Sequence, residues 1–173
     1  MAGTLISTFY NGDSTTNSLT AIQQTILRMF RSHCEMSFGN YAKGNTSMLN
    51  VLAGSSVVVN MNFFQWDAAE SILLRNTDES TASMDSAGAA DYYLVAVINA
   101  DKTCSIYAMN TGYLTVSGDS TRAGWYISGT QIRVLGGFTK SSAGTYINKW
   151  IYQTHGFSNE ASTPTFRLYA DGL

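Results

Sequence analysis

The feature that most constrains this chain is a series of short apolar segments separated by turn residues, which fills residues 91–152. Residues 92–98 and 103–109 predict two strands joined by a turn at residues 99–102. Successive side chains on a strand point to opposite faces, so Cys104, Ile106 and Ala108 are expected to share one face. Further strands are predicted at 113–116, 131–138, 145–152 and 165–169, with a loop at 118–121. This pattern is typical of a mainly β chain, an antiparallel β-sandwich or jelly-roll-like domain.

One amphipathic helix is predicted in the first part of the chain, over about residues 18–33. Leu19, Ile22, Ile26 and Met29 recur at spacings of three and four and therefore share a face. The same four residues fit the a and d positions of two heptads. The helix is therefore expected either to form an oligomer interface around a symmetry axis or to lie on its own sheet.

The middle of the chain changes from helical to strand patterning near residue 54. Residues 57–64 predict one half-buried strand, residues 67–75 fit a short helix or a strand, and residues 76–90 predict a surface loop. We therefore divide the chain into an N-terminal segment, residues 1–53, which carries the helix, and a β-sandwich domain, residues 54–173.

Charge is scarce in this chain. Charged residues make up 13% of the sequence, about half of the usual ~25%, and the net charge is −2. A protein that binds nucleic acid through its phosphates needs clustered Lys and Arg, so nucleic acid is not an expected partner. The sequence offers no apolar run of membrane-spanning length and no basic, apolar leader at residues 1–6, so neither a membrane partner nor a signal peptide is expected. Low charge with many hydroxyl and amide side chains suits sheets and subunit interfaces.

A resemblance to a known class of proteins covers residues 91–152. A tyrosine-rich hairpin begins at Asp91, Gly124-Trp125-Tyr126 follows, and residues 131–144 carry an Arg-x-x-Gly-x-Phe strand and a Ser/Gly turn. This arrangement resembles β-rich modules of tailed-bacteriophage virion proteins of the tail-fibre, tail-tip or decoration type. The resemblance implies a structural virion protein, commonly oligomeric, made in the host cytoplasm and without catalytic residues.

Chemistry-bearing residues are few. The sequence lacks the common hydrolase, nucleotide-binding and calcium-loop motifs, and its only histidines are His33 and His155. Adjacent helical residues point in different directions, so His33, Cys34 and Glu35 are not expected to share a metal ion. Asp78, Glu79 and Asp85 are expected to be solvated loop acids. We therefore expect no enzyme activity, no metal and no cofactor, and we expect Cys34 and Cys104 to be free and mostly buried thiols.

The aromatic residues of the second half are the strongest candidates for a binding surface. Alternation along strands must place some of them away from the core, where Tyr and Trp can anchor a protein interface or stack on sugar rings. The candidates are Tyr107, Tyr113, Trp125, Tyr126 and Trp150. The alternative is that half of them are core residues and the rest ordinary sheet residues.

The expected function is that of a non-enzymatic structural component of a virus particle. Its partners would be further copies of itself, with a trimer as one candidate state, and other virion proteins. The assembly interface would be formed by Leu19, Ile22, Ile26, Met29 and a sheet face. The alternatives are a module that recognises a carbohydrate or receptor, such as a host-surface glycan, and a small hydrolase, which only generic residues support.

Overall fold

Strands dominate the structure. The computed structural model describes residues 2–8, 33–39, 50–119, 121–122, 124–140, 146–153 and 166–170. Within those ranges, helical structure is limited to two one-turn 3-10 helices, Met84–Ser86 and Thr111–Tyr113. The prediction of a mainly β chain is therefore confirmed. The helix predicted at 18–33, with Leu19, Ile22, Ile26 and Met29, lies outside the described residues apart from its last position, His33.

The strands vary from two to nine residues in length. In chain order they are Thr4–Thr8 (β1), Cys34–Glu35 (β2), Phe38–Gly39 (β3), Asn50–Val51 (β4), Ser56–Val59 (β5), Asn62–Gln65 (β6), Glu70–Ser71 (β7), Leu73–Arg75 (β8), Thr81–Ala82 (β9), Ala90–Ile98 (β10), Cys104–Asn110 (β11), Val116–Asp119 (β12), Gly124–Ile127 (β13), Arg133–Lys140 (β14), Tyr146–Gln153 (β15) and Phe166–Ala170 (β16).

The largest sheet is built around the β10–β11 hairpin and β14. Its strand order is β12-β13-β14-β10-β11-β8-β9, and β15 and β16 extend it from β14. One edge of β14 pairs with β10, while its other edge pairs first with β13 and then with β15. All of these pairs are antiparallel except β8 with β11, which run parallel.

Two smaller antiparallel sheets complete the described structure, with strand orders β1-β6-β5-β2 and β3-β4-β7. The N–H and C=O of Gly3 both hydrogen-bond to Cys104, at 2.6 and 2.8 Å, and so join the start of the chain to β11. Strands on the two sides of residue 53 thus pair with each other, as β1 does with β6 and β2 with β5. The division of the chain at residue 53 stays a prediction.

One hydrophobic core is shared by the large sheet and the four-stranded sheet. Its buried members alternate along the strands, as expected for one face of each sheet. They include Val57, Val59 and Phe64 from the four-stranded sheet, which we call the small sheet, and Tyr92, Leu94, Ala96, Cys104, Ile106 and Ala108 from the β10–β11 hairpin. The predicted common face of Cys104, Ile106 and Ala108 is confirmed, and so are the turn at residues 99–102 and the two last strands.

A β-bulge in β14 decides which of its side chains enter that core. Gly136 pairs with Leu94 but Val134 pairs with Val95, so Leu135 is an extra residue with none opposite it on β10. In a regular strand, residues seven apart point to opposite faces. The extra residue shifts the alternation by one, so Arg133 and Lys140 both point into the shared core, where each is only 3% exposed.

Two loops of the large sheet are built alike. In the β10–β11 loop, the N–H and hydroxyl of Thr103 donate to Oδ1 of Asp101, and Asn99 donates to the Thr103 hydroxyl at 2.9 Å. The β8–β9 loop repeats this arrangement with Asn76, Asp78 and Ser80. In both loops the fourth residue, Lys102 or Glu79, is left-handed, with φ of 66° and 69°. The Asn-x-Asp-x-Ser/Thr pattern therefore replaces the glycine that such turns usually use.

Several local predictions were wrong. Residues 57–64 form a hairpin, not one strand, because Asn60 and Met61 both take positive φ and make a two-residue turn of type I′. By contrast, residues 67–75, for which a short helix and a strand were both predicted as alternatives, form strands β7 and β8, so the strand alternative is confirmed.

The segment 76–90, predicted as a surface loop, contains β9 and buries Met84 and Ala87 in the core. The strand predicted at 113–116 begins only at Val116, because the amide oxygen of Asn110 accepts the N–H of Gly112 at 2.8 Å and starts a 3-10 turn. The loop predicted at 118–121 contains the end of β12.

Gly137→Ala tests the close approach of β14 to β10. An added Cβ would lie 2.8 Å from the carbonyl oxygen of Tyr92, so the backbones must separate, and we expect the free energy of unfolding to fall by about 1–3 kcal/mol. Gly88→Ala is the matched control, since nothing lies within 4 Å of its added Cβ. Urea denaturation measures both variants, and equal stabilities would contradict the close approach.

The two similar loops predict a loss of stability in acid. The hydroxyl of Ser80 lowers the pKa of Asp78, and the hydroxyl of Thr103 lowers that of Asp101, both from an ordinary value of 3.8. A carboxyl with a lowered folded pKa stabilises the fold at higher pH and loses that contribution as pH falls through the folded value. Between about pH 5 and about pH 2, the wild-type melting temperature should therefore fall more steeply than that of Asp78→Asn/Asp101→Asn. Parallel curves would contradict this.

Candidate interaction surface

A row of apolar side chains crosses the second face of the large sheet, the face opposite the shared core. Tyr107 of β11 lies opposite Val95 of β10, Val95 lies opposite Val134 of β14, and Val134 lies opposite Trp125 of β13. Residues directly opposite on adjacent strands share a face and touch through their side chains. We call Tyr107, Val95, Val134 and Trp125 the aromatic row.

The aromatic row is buried in its middle and accessible to solvent at its two ends. Val95 and Val134 are buried, whereas Tyr107 and Trp125 are half-buried. Leu73 of β8, the neighbour of Tyr107, is 39% exposed. At the other end, the indole of Trp125 lies over Gly118 of β12, where a Cβ would be 3.4 Å from the ring. The row thus runs as an apolar stripe from β8 to the edge of the sheet.

Further apolar residues surround the row. Val97, Met109 and Ile127 are buried in the same cluster, and Tyr93 and Val116 are packed against it while half-buried. The guanidinium of Arg75 stands 5.5 Å from the ring centre of Tyr107 and pairs with Glu79 at 3.1 Å. Tyrosine and arginine are enriched in protein interfaces, and the rim of an interface is polar, so Tyr107 and Arg75 are consistent with the border of a binding surface.

The five aromatic candidates do not lie together. Tyr107 and Trp125 belong to the aromatic row, while Tyr113 is 81% exposed on the 3-10 turn after β11. Trp150 lies on β15, the strand next to β14, where it is opposite Tyr169 and outside the row. Tyr126 is buried on the other face of β13, where its hydroxyl oxygen accepts the N–H of Asn60 at 3.2 Å.

Tyr126 is held by a charged pair in the β12–β13 connection. The guanidinium of Arg122 lies 3.7 Å from the centre of the Tyr126 ring and donates to Asp119 at 2.6 Å and to the carbonyl of Thr130 at 2.9 Å. Burial acts to raise the pKa of Asp119, but hydrogen bonds from Arg122 and its charge lower it overall. Both charges at this end of β12 are therefore neutralised within the chain.

Sequence reasoning missed the two buried cations, Arg133 and Lys140. Arg133 donates to the carbonyls of Val58 and His33, the latter at 2.9 Å, and so ties the large sheet to the small one. Lys140 donates to the carbonyls of Met84 at 2.6 Å and Ala87 at 2.7 Å, which holds the 3-10 turn against β14. Burial lowers the pKa of Lys140, while the charge of Asp85 raises it. Arg133 and Lys140 share a face only because of the bulge at Leu135, and the alternation of side chains along the sequence does not predict that bulge.

The residues considered for metal binding have other roles. Nε2 of His33 lies 2.7 Å from the hydroxyl of Ser56, and its ring packs edge-on against Phe63. Neither Cys34 nor Cys104 forms a disulfide, as predicted; Cys104 is buried and Cys34 half-buried, and burial raises the pKa of both thiols. Within the described ranges, no three His, Cys, Asp or Glu side chains lie close enough to hold one metal ion.

Comparison with known proteins adds no relative. No family model, no curated protein and no solved structure matches this chain. Among the described residues, no helix is long and apolar enough to cross a membrane.

Lys140→Met tests the role of the buried ammonium group. Methionine keeps the apolar stem but leaves the carbonyls of Met84 and Ala87 without this donor, so we expect the free energy of unfolding to fall by about 2–4 kcal/mol. Lys102→Met is the matched control, because Lys102 is exposed in a hairpin turn and its loss should change stability by less than about 0.5 kcal/mol. Chemical denaturation that ranks the two variants equally would contradict this role.

Proposed function

We propose that this chain is a non-enzymatic structural component of a virus particle, of the tailed-bacteriophage type, which assembles through its N-terminal helix and a face of its large sheet. The observation that carries the proposal is the aromatic row. It leaves Tyr107, Trp125 and Leu73 partly accessible on a sheet face whose other side is already packed. The resemblance of residues 91–152 to virion modules and the low charge of the chain support the same role.

The proposed architecture is an antiparallel β-sandwich, with a jelly-roll arrangement as the alternative. The shared core between the large sheet and the four-stranded sheet supports it, as does the hydrogen bonding of Arg133 to Val58 across that core. A contiguous apolar patch that is exposed on the outer face of a sheet marks an interaction site. The aromatic row occupies such a face.

The mechanism of the proposed function is association. Burial of apolar surface contributes about 25 cal/mol per Å², and aromatic side chains carry the largest areas. Few charges need to be desolvated, because 13% of the residues are charged and Asp119 is already paired with Arg122. The proposed partners are further copies of this chain, in a trimer or another closed ring, and other proteins of the particle.

A carbohydrate- or receptor-recognition module is the alternative function, and the exposure of Tyr113 favours it. Tyr113 is 81% exposed at the end of the 3-10 turn that begins at Thr111, whose hydroxyl donates to the carbonyl of Asp91. An exposed tyrosine ring can stack on a sugar, and its hydroxyl can hydrogen-bond to the sugar. A host-surface glycan is the ligand class this site would take.

Light scattering after size-exclusion chromatography tests the assembly. We expect the wild-type chain to form a closed oligomer, and we expect Trp125→Ser and Ile26→Asp to weaken it about tenfold or more by removing apolar contacts. Tyr113→Ser is the matched control: it should keep the oligomer and, in the alternative function, abolish binding on a glycan array. Circular dichroism checks that each variant remains folded.

The particle role has its own test. Mass spectrometry of virus particles purified from the source of this chain should find the chain at a fixed ratio to the other structural proteins. A chain that stays monomeric and is missing from purified particles would contradict the proposal, whereas glycan binding by the monomer would favour the alternative.

A further inference from the structure

No described strand pairs with the outer edge of β12. Among the described strands, β12 is the last in its sheet and pairs only with β13. Ser117 and Gly118 are exposed, and so is Thr115 just before the strand. An exposed strand edge presents N–H and C=O groups that can pair with another strand.

The hydrogen-bond pattern shows which groups point outward. The N–H of Ser128 donates to the carbonyl of Thr115 at 2.8 Å, so the opposed residues Val116 and Ile127 are a non-hydrogen-bonded pair. Pairs alternate along an antiparallel ladder, so Ser117 bonds to β13. Val116 and Gly118 therefore direct their N–H and C=O groups away from β13, to the open side.

This edge lacks the usual features that prevent pairing. Natural edges are guarded by lysines, prolines, bulges or inward-pointing charges. Residues 115–118 are Thr, Val, Ser and Gly, and their pairing with β13 is regular. The nearest charged residue, Asp119, is bound by Arg122 at 2.6 Å and so adds little repulsion.

We propose that β12 pairs with β12 of a second copy of this chain, antiparallel and around a two-fold axis at Ser117. In this register Val116 lies opposite Gly118 of the second copy, and the outward groups of both residues make four backbone hydrogen bonds. If the two-fold axis fell between two residues, a residue whose N–H and C=O point outward would lie opposite a residue whose groups point towards β13. A register with its axis at Gly118 would form fewer backbone hydrogen bonds between the two β12 strands. The register with its axis at Ser117 is therefore the most self-complementary.

The side chains fit the same register. Val116 and Gly118 lie on the face of the aromatic row, where the indole of Trp125 covers Gly118. Val116 would therefore pack on the indole of the second copy, and the apolar stripe would continue across the axis. Ser117, on the opposite face, meets its own copy with a small side chain.

This interface shares Trp125 with the sheet face of the proposed function, but it does not involve the helix and does not depend on a role in a particle. It is small, with four backbone hydrogen bonds and two Val116–Trp125 contacts. We therefore expect reversible dimerisation with a Kd of about 10–100 µM.

Gly118→Pro tests the pairing, because proline removes the outward N–H and leaves the bonds of Ser117 to β13. Gly118 lies on an edge strand with its N–H directed away from β13, the kind of strand position where proline is tolerated, and circular dichroism checks that the variant is folded. Light scattering and sedimentation equilibrium between about 1 and 200 µM should show a wild-type mass that rises with concentration towards twice the mass that the variant keeps throughout. Hydrogen exchange at Val116 and Gly118 should slow as the wild-type concentration rises.

Two controls isolate the edge. Gly118→Ala keeps the N–H and should keep the dimer. Thr81→Pro removes an N–H from the opposite end of the sheet, where the bond from Asn76 to the carbonyl of Ser80 directs the Thr81 N–H outward by the same rule. It should also keep the dimer.

Three results would overturn the pairing: a wild-type chain that stays monomeric up to the highest concentration, a dimer that survives in folded Gly118→Pro, or exchange at Val116 and Gly118 that does not depend on concentration. An oligomer that Ile26→Asp dissociates and Gly118→Pro does not would overturn the edge pairing while leaving the proposed assembly through the helix in place.

Discussion

The extra residue at Leu135 is the constraint on which the described structure depends most. It shifts the alternation of β14 by one position, so that Arg133 and Lys140 both enter the shared core. Each buried cation then binds backbone carbonyls of a different partner: Arg133 those of Val58 and His33, Lys140 those of the turn at Met84–Ser86. Buried charge is costly unless hydrogen-bonded, so these contacts define how the small sheet and the turn dock onto the large sheet.

The same shift leaves the second face of the large sheet apolar. With Arg133 and Lys140 on the core side, β14 presents Val134 on the other face, where it completes the aromatic row between Val95 and Trp125. The row ends at Gly118 on β12, the last described strand of its sheet, and the charges next to it, Asp119 and Arg122, pair with each other. The bulge in β14 thus determines both which carbonyl groups the buried cations bind and which side chains form the surface proposed for association.

Local patterning predicted the mainly β fold, the β10–β11 hairpin and the common face of Cys104, Ile106 and Ala108, because those depend on alternation and on turn residues. It failed at Asn60–Met61, where a type I′ turn forms without glycine, and at Met84, which is buried within an apparently polar segment. Of the candidate surface, Tyr107 and Trp125 were predicted. Their alignment, the burial of Tyr126 and the roles of Arg133 and Lys140 follow from strand register, which pairs residues far apart in sequence.

The most direct test of this account is the free energy of unfolding of Arg133→Met, measured by urea denaturation together with native-state hydrogen exchange at Val58. Because the carbonyls of Val58 and His33 would lose a charged donor, the account predicts a loss of about 2–4 kcal/mol. Exchange at the Val58 N–H, which bonds to His33 at 3.0 Å, should also become faster than exchange in the β10–β11 hairpin. A change below about 0.5 kcal/mol, with protection at Val58 unaltered, would contradict it.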